Sequence, residues 1–441
     1  MSGRRMNSLR WVAAATMLLA AGTPAFGAGF GIFEQGTKAM GMAGAFTAQA
    51  DDPSALWHNA GGLAFVNQSA ASAGATWIHS TKADFQGGAP FPGSGATAEQ
   101  KALSEFPPHL YYVAPINAIW KWGIGVNTPF GLTTQWKNEN QFAGRFLSTK
   151  AALQAFDVNP TIGWQITPNF GLGFGALARF SKVELNRHVA GQNPFTFSTV
   201  DIAKVHLTSD FDRAYGWNVG LLHKVNPSFS WGLSYRSAIT VDYQGDARFT
   251  QISTGNAQLD AAVRAQLPIG VNLPIKTSID FPDMASLGIA FSVTPNLLIE
   301  VDANRTGWSS FEKVVINGRS AQASAVFNAT NTTIPEEWDD ANNYRLGVRL
   351  GPANGSQLRF GYVYDETPQV EESVSPLLPD ANRNGLTVGF GTNAPGFNWD
   401  VALMYLKFDK RTRNSTRPHE PIYHGTYDTT AWLLGITLGW R

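Results

Sequence analysis

The chain has 441 residues, 44% apolar, 12% aromatic and only 15% charged, with 33 basic and 33 acidic side chains and no cysteine. A net charge of zero leaves no field to gather nucleic acid or an anionic surface, and the absence of thiols excludes disulfides and thiolate metal sites. Charge this sparse, against ~25% in a typical soluble domain, points to a chain with much of its surface in lipid.

Residues 1–27 read as a secretory signal peptide. Arg4, Arg5 and Arg10 form a basic region, Trp11 to Ala21 a short apolar core, and Ala25-Phe26-Gly27 a small-residue cleavage site before Ala28. The core is shorter than the ~20 apolar residues of a spanning helix, so export rather than anchoring is expected. Residues 28–69 show no strand alternation and are glycine-rich, as in Gly41-Met42-Ala43-Gly44-Ala45. A disordered periplasmic tail is one reading. Phe30, Phe33, Phe46, Leu56, Trp57, Leu63 and Phe65 favour the other, a packed hatch plugging a barrel, because disordered tails lack aromatics.

From Ala70 onward, apolar side chains recur at every second position. Such alternation puts successive side chains on opposite faces of a strand. Six pairs of alternating runs flank short turns: Ile116-Asn117-Ala118, Thr167-Pro168-Asn169, Val225-Asn226-Pro227, Thr294-Pro295-Asn296, Pro352-Ala353-Asn354-Gly355 and Asn393-Ala394-Pro395-Gly396. A first strand near Ala70 to His79 and a last near Thr430 to Trp440 bring the total to about fourteen. The last reads Trp432, Leu434, Ile436, Leu438, Trp440 on one face. The expected fold is therefore all-β, a transmembrane antiparallel β-barrel over residues 70–441 with the hatch inside its lumen. Short turns belong on the periplasmic side and long connections outside. Two long connections carry helical spacing, Phe146 to Phe156 and Ala257 to Leu267.

Leu358, Phe360, Tyr362 and Tyr364, and Trp399, Val401, Leu403 and Tyr405, are expected to face lipid. Arg345, Arg349 and Arg359, with Glu300, Asp302 and Asn304, are expected to line the lumen, as an internal salt-bridge network rather than ligand contacts. No catalytic chemistry is legible. There is no nucleophile elbow and no H-E-x-x-H. Gly171-Leu172-Gly173-Phe174-Gly175 sits inside a strand run rather than before a helix. His58 reads as a packed residue, and Asp51-Asp52 and Asp339-Asp340 lack calcium-loop spacing. No metal or cofactor is expected.

Particular blocks then resemble one family. Ala28-Gly29-Phe30, Gly41-Met42-Ala43-Gly44-Ala45, Ala50-Asp51-Asp52 and Trp57-His58-Asn59-Ala60-Gly61-Gly62-Leu63 resemble the N-terminal hatch of FadL/TodX outer-membrane transporters. Val113-Ala114-Pro115-Ile116, Gly216-Trp217-Asn218-Val219-Gly220, Asn343-Tyr344-Arg345-Leu346-Gly347 and Asp365-Glu366-Thr367-Pro368 continue the match in order. The resemblance implies a fourteen-stranded barrel in the outer membrane of a Gram-negative bacterium. It implies a monomer in contact with outer-membrane lipid and lipopolysaccharide, passing long-chain fatty acids by passive diffusion. The alternative within the class is an aromatic or alkane hydrocarbon channel. Outside it stand a water-filled porin and an adhesin.

The resemblance also assigns sites. Phe30 and Phe130 fall at the ligand pocket. Asn59, Ala60 and Gly61 occupy the hatch motif, which in the family reads Asn-Pro-Ala. Asn127, Pro129 and Gly131 fall at the kinked third strand where the family opens its wall; a strand simply ending at Pro129 is the alternative. Arg187, two residues past Leu185, is the candidate carboxylate partner. The family's second basic position falls in Thr333-Ile334-Pro335, which has no Lys or Arg.

Overall fold

A computed structural model describes residues 29–441 apart from 195, 330–331, 394–395 and 415–421. The signal peptide, Ala28 and the Ala394-Pro395 turn centre lie outside the described residues.

The alternation closes into a wall. Fourteen strands form the ring: β1 Ala70–Gly87, β2 Pro108–Pro115, β3 Trp120–Gln135, β4 Lys150–Thr167, β5 Phe170–Gln192, β6 Asp212–Asn226, β7 Phe229–Arg236, β8 Met284–Thr294, β9 Leu297–Thr306, β10 Ala341–Leu350, β11 Ser356–Asp365, β12 Arg383–Thr392, β13 Phe397–Phe408 and β14 Gly425–Trp440. Neighbours pair antiparallel, and β14 returns to β1 from Ala71 opposite Trp440 to Gly87 opposite Gly425. Closure leaves no sheet edge to face lipid, where an unpaired backbone group costs several kcal/mol. Leu358, Phe360 and Tyr362 are exposed on the outer face, whereas Arg359 between them is buried. Aromatic pairs ring the short-turn end: Trp120 on Trp164, Phe229 on Phe291 and Phe397 on Trp440, at 5.5, 4.8 and 5.8 Å between centroids.

The expected helix from Phe146 to Phe156 is a strand instead. β4 begins at Lys150, with Ala151, Leu153 and Ala155 buried on the inner face. Its alanines and leucine favour helix locally, but Leu153 pairs with Leu132 on one side and Val183 on the other. Two complete ladders override a weak propensity. The second expected helix forms over Ala257–Gln266, where the Asn256 side chain accepts the N–H groups of Gln258 and Leu259. The long connections hold further strands. Thr199–Ser209, Ile239–Gln251 and Asn272–Phe281 extend the outer end of β5 into a sheet above the barrel.

Residues 29–65 are almost wholly buried within the wall. They run through helical turns Thr37–Met40 and Ala55–His58 and a 3-10 helix Ala60–Phe65. The lumen charges bond this segment more than one another. Asp302 accepts the N–H groups of Phe46 and Thr47, both at 3.0 Å, and Glu300 those of Ala48 and Gln49 at 2.6 and 3.3 Å. Arg345 donates to the Gly44 carbonyl at 3.1 Å. Arg359 does pair with Asp400, at 2.6 Å. The expected salt-bridge network is thus partly a cradle of wall side chains around segment backbone. Carboxylates suit that task because charge-assisted acceptance is stronger than neutral hydrogen bonding.

Candidate functional site

The described chain starts beside an aromatic box. Gly29, at φ 63°, turns into it and donates its N–H to Asp380 at 2.9 Å. A Cβ there would meet the Trp338 ring at 2.4 Å and fall in a backbone region L-residues avoid. The next side chain, Phe30, enters among Phe130, Phe281, Trp308, Phe311 and Trp338, with centroids 4.6 to 5.9 Å away. The contacts are mostly edge-to-face, the arrangement ring quadrupoles prefer. The Arg179 guanidinium backs the box, 4.6 Å from the Phe130 centroid, and two bonds of 2.8 Å to Asp157 neutralise it.

On Phe30 rests a cavity of about 110 Å³, lined by Leu132 of β3, Leu153 of β4, Leu185 of β5 and residues of the long connections including Ile279, Ile316 and Leu378. Its walls are almost entirely carbon. Each CH₂ moved from water into such a space gains ~0.8 kcal/mol. The two carboxylates in the lining are engaged. Glu184 pairs with Lys150 at 2.7 Å, and Glu336 accepts the Trp338 indole N–H at 2.8 Å. Among the described residues no Lys or Arg lines the cavity, and Ile334 does, from the stretch at the family's second basic position. Arg187 lies on the inner face of β5 two residues beyond Leu185, about 7 Å along a strand. Leu185 and Val189, flanking it on that face, pack against an apolar cluster of the outer sheet. Its side chain makes no hydrogen bond or ion pair with any described residue.

The third strand does not end at Pro129. β3 runs on to Gln135 through a bulge, with Asn127 opposite Asp157 and Phe130 opposite Ala155. Thr128 and Pro129 together thus face the single residue Phe156. On its other edge, β3 parts from β2, whose pairing stops at Leu110 opposite Val126. The N-terminal segment fills the missing place. Ile32 donates to the Pro129 carbonyl at 2.8 Å, and Gly131 donates to that of Phe30 at 2.9 Å. The Gln35 amide accepts the Thr128 N–H at 3.0 Å and donates to the Thr128 carbonyl at 2.6 Å. Asn127, fully buried beneath, has neither amide atom bonded among the described residues.

Phe30, Phe130, Pro129 and Gly131 therefore meet at one place. Asn59, Ala60 and Gly61 lie elsewhere, against β5, β6 and β7. Asn59 accepts the Gly61 N–H at 2.9 Å and donates to the carbonyls of Thr47 at 2.7 Å and Leu221 at 2.9 Å. A Cβ on Gly61 would approach the Leu222 nitrogen to 2.6 Å. Arg187 stands apart, on the outer extension of β5. Sequence reasoning passed over Gln35, Asp380, Trp308 and Trp338. Two tryptophans in connections otherwise read as solvent-facing loops were the available signal. Gln35 offered none. Burial pushes the Asp380 carboxyl up to about 7, against hydrogen bonds from Thr367 and Gly29 that favour its charged form.

Residues 18–441 match a family model described as outer membrane protein transport protein (OMPP1/FadL/TodX). A long-chain fatty acid transport protein of Escherichia coli O6:H1 is 26% identical over 439 residues, covering 95% of each chain. The crystal structure of a Pseudomonas aeruginosa FadL homologue superposes with a TM-score of 0.81 at 17% identity, covering 93% of this chain and 99% of that one. The toluene transporter TodX of Pseudomonas putida gives 0.67 at 16% identity, covering 95% and 98%.

Proposed function

This chain belongs to the OMPP1/FadL/TodX family of outer-membrane transport proteins, and on that premise we propose that it carries long-chain fatty acids inward by passive diffusion, releasing them sideways through its wall. It is an outer-membrane barrel that transports hydrophobic compounds. The outer leaflet's saccharide layer bars apolar solutes. A dry path inside a barrel removes that barrier, with no energy source required.

One observation carries the lateral reading. The same stretch, residues 30–35, forms the floor of the apolar cavity through Phe30 and the missing ladder partner of the β3 bulge. A ligand that displaces Phe30 draws away the groups that satisfy Thr128, Pro129 and Gly131. Those backbone groups are expensive to leave unpaired in lipid. The break at Pro129, which has no N–H to give, is then an exit rather than a defect.

The experiment ties the two together. Gly31 and Phe130 face each other in an antiparallel bridge, so the double variant Gly31→Cys, Phe130→Cys places a disulfide there in a chain with no other cysteine. Oxidised, it should bind ligand but not deliver it; reduced, the same variant should regain uptake. Uptake at equal rates in both states would remove the lateral route.

Arg187 favours an acid as ligand, because it lacks a partner in an apolar neighbourhood. A charge-assisted bond is worth about 1.5–3 kcal/mol, so Arg187→Ala should weaken fatty-acid binding ten-fold or more. The second reading, a neutral hydrocarbon, is favoured by the lack of a cation among the described residues of the cavity lining. Unchanged fatty-acid affinity in Arg187→Ala, with toluene competing equally well, would establish that reading instead.

A further inference from the structure

Met284 packs against the apolar cluster around Phe30 and also lines a second cavity, of about 40 Å³. This one lies between the N-terminal segment, through Thr47 and His58, and the wall, through Arg236, Asn304, Arg345 and Arg305, the last paired with Asp340. It has room for a few water-sized species, since about 10–15 Å³ of such space holds one.

Its chemistry is one-sided. Arg236 and Arg345 are 5% and 7% exposed, and neither forms an ion pair among the described residues. Arg236 donates from Nη2 to the Trp57 carbonyl at 3.3 Å, while its Nη1 has no partner. Arg345 donates to Asn343 Oδ1 and to the Gly44 carbonyl. His58 Nε2, also buried, has no partner. Most neighbouring acids are committed elsewhere, Asp157 to Arg179, Asp365 to Arg383, and one oxygen of Asp302 to the amides of Phe46 and Thr47. Glu34 and Asp302 offset part of the Arg345 charge, which leaves Arg236 as the guanidinium without a close counter-charge. Burying a guanidinium without its counter-charge is strongly unfavourable. Burial, then Arg345 and Arg236, hold His58 down at about 3, so its ring is neutral and one of its nitrogens carries a hydrogen to donate.

We infer that this cavity binds a small monovalent anion, gripped from the wall by Arg236 and Arg345 and from the N-terminal segment by His58. A water molecule would satisfy the donors but bring no charge to offset Arg236. The shared chemistry is a compact anionic group, from an inorganic halide or from the carboxylate end of a short organic acid. Bound there, it joins segment to wall.

The test uses the purified full-length barrel in detergent. Crystals soaked in bromide should give an anomalous peak in this cavity, within hydrogen-bonding distance of Arg236 Nη1. At constant ionic strength the melting temperature should be higher in chloride or bromide than in gluconate, and should rise with the logarithm of halide concentration. Arg236→Met should lose the difference between salts. Stabilisation by acetate but not halide, lost in the same variant, would make a carboxylate the occupant. No anomalous peak, with equal melting in all four salts, would overturn the site and leave a pocket of water. The bromide crystal keeps the question open to refutation even if Arg236→Met does not fold.

Discussion

Gln35 stands in for a strand that is not there. Its amide bonds both backbone groups of Thr128 and the carbonyl of Ile32, completing a ladder where β2 has left off. Each such bond contributes about 0.5–1.5 kcal/mol, and a buried group left unsatisfied costs about 1–3 kcal/mol. Gln35→Ala should therefore lower the melting temperature and speed hydrogen exchange at the Thr128 and Gly131 amides; unchanged protection there would show that the edge is held by other means. Asp380, which accepts the Gly29 N–H, makes a pH-dependent contribution. Its folded pKa is raised by burial to about 7 from 3.8. Between those values the folded chain keeps a proton that the unfolded chain has lost, so this contribution to stability falls as pH rises from about 4 to about 7 and is flat on either side. The melting temperature of the wild type should fall relative to Asp380→Asn across that window. Parallel curves would mean that Asp380 titrates normally. At this scale the sequence was only partly legible. Phe30 and Phe130 were singled out through the family resemblance and lie ring to ring, but Gln35 acquires its role from a backbone 93 residues away, which no local pattern announces.

Among the elements, β3 departs from a regular ladder where the N-terminal segment meets it. Two of its residues face one of β4 at the bulge. Deleting Pro129 should restore one-to-one register and close the ladder against β4. Ligand affinity should persist while uptake falls several-fold. Uptake at the wild-type rate would show that the wall irregularity is not on the route. The sequence located this irregularity because proline and glycine mark backbone departures. It did not show that the strand resumes, since resumption depends on pairing with β4. The same limit explains residues 150–156, whose composition suits a helix and whose neighbours make a strand. Short turns were the most readable elements, because their chemistry is local. The outer sheet was not readable, because its strands pair across long intervals of chain.

For the molecule as a whole, the ring and its closure were legible from period-two alternation and turn spacing. The filling of the lumen was legible as aromatic content in residues 28–69 and in the blocks there that resemble the family's hatch. That filling separates this barrel from an open pore. With residues 29–65 packed against the wall, reconstituted protein should give almost no single-channel conductance, and sustained porin-like currents would contradict a plugged lumen. A further consequence follows from residues 30–35 sealing cavity and wall together. On the lateral route proposed above, the two seals are broken together, and each passage needs its own displacement of Phe30. Inward flux should then behave as a turnover, levelling off as external ligand rises and reaching half its maximum near the cavity's own dissociation constant. A leak through a hole would keep climbing in proportion to concentration. Initial rates over a hundred-fold range of ligand distinguish the two.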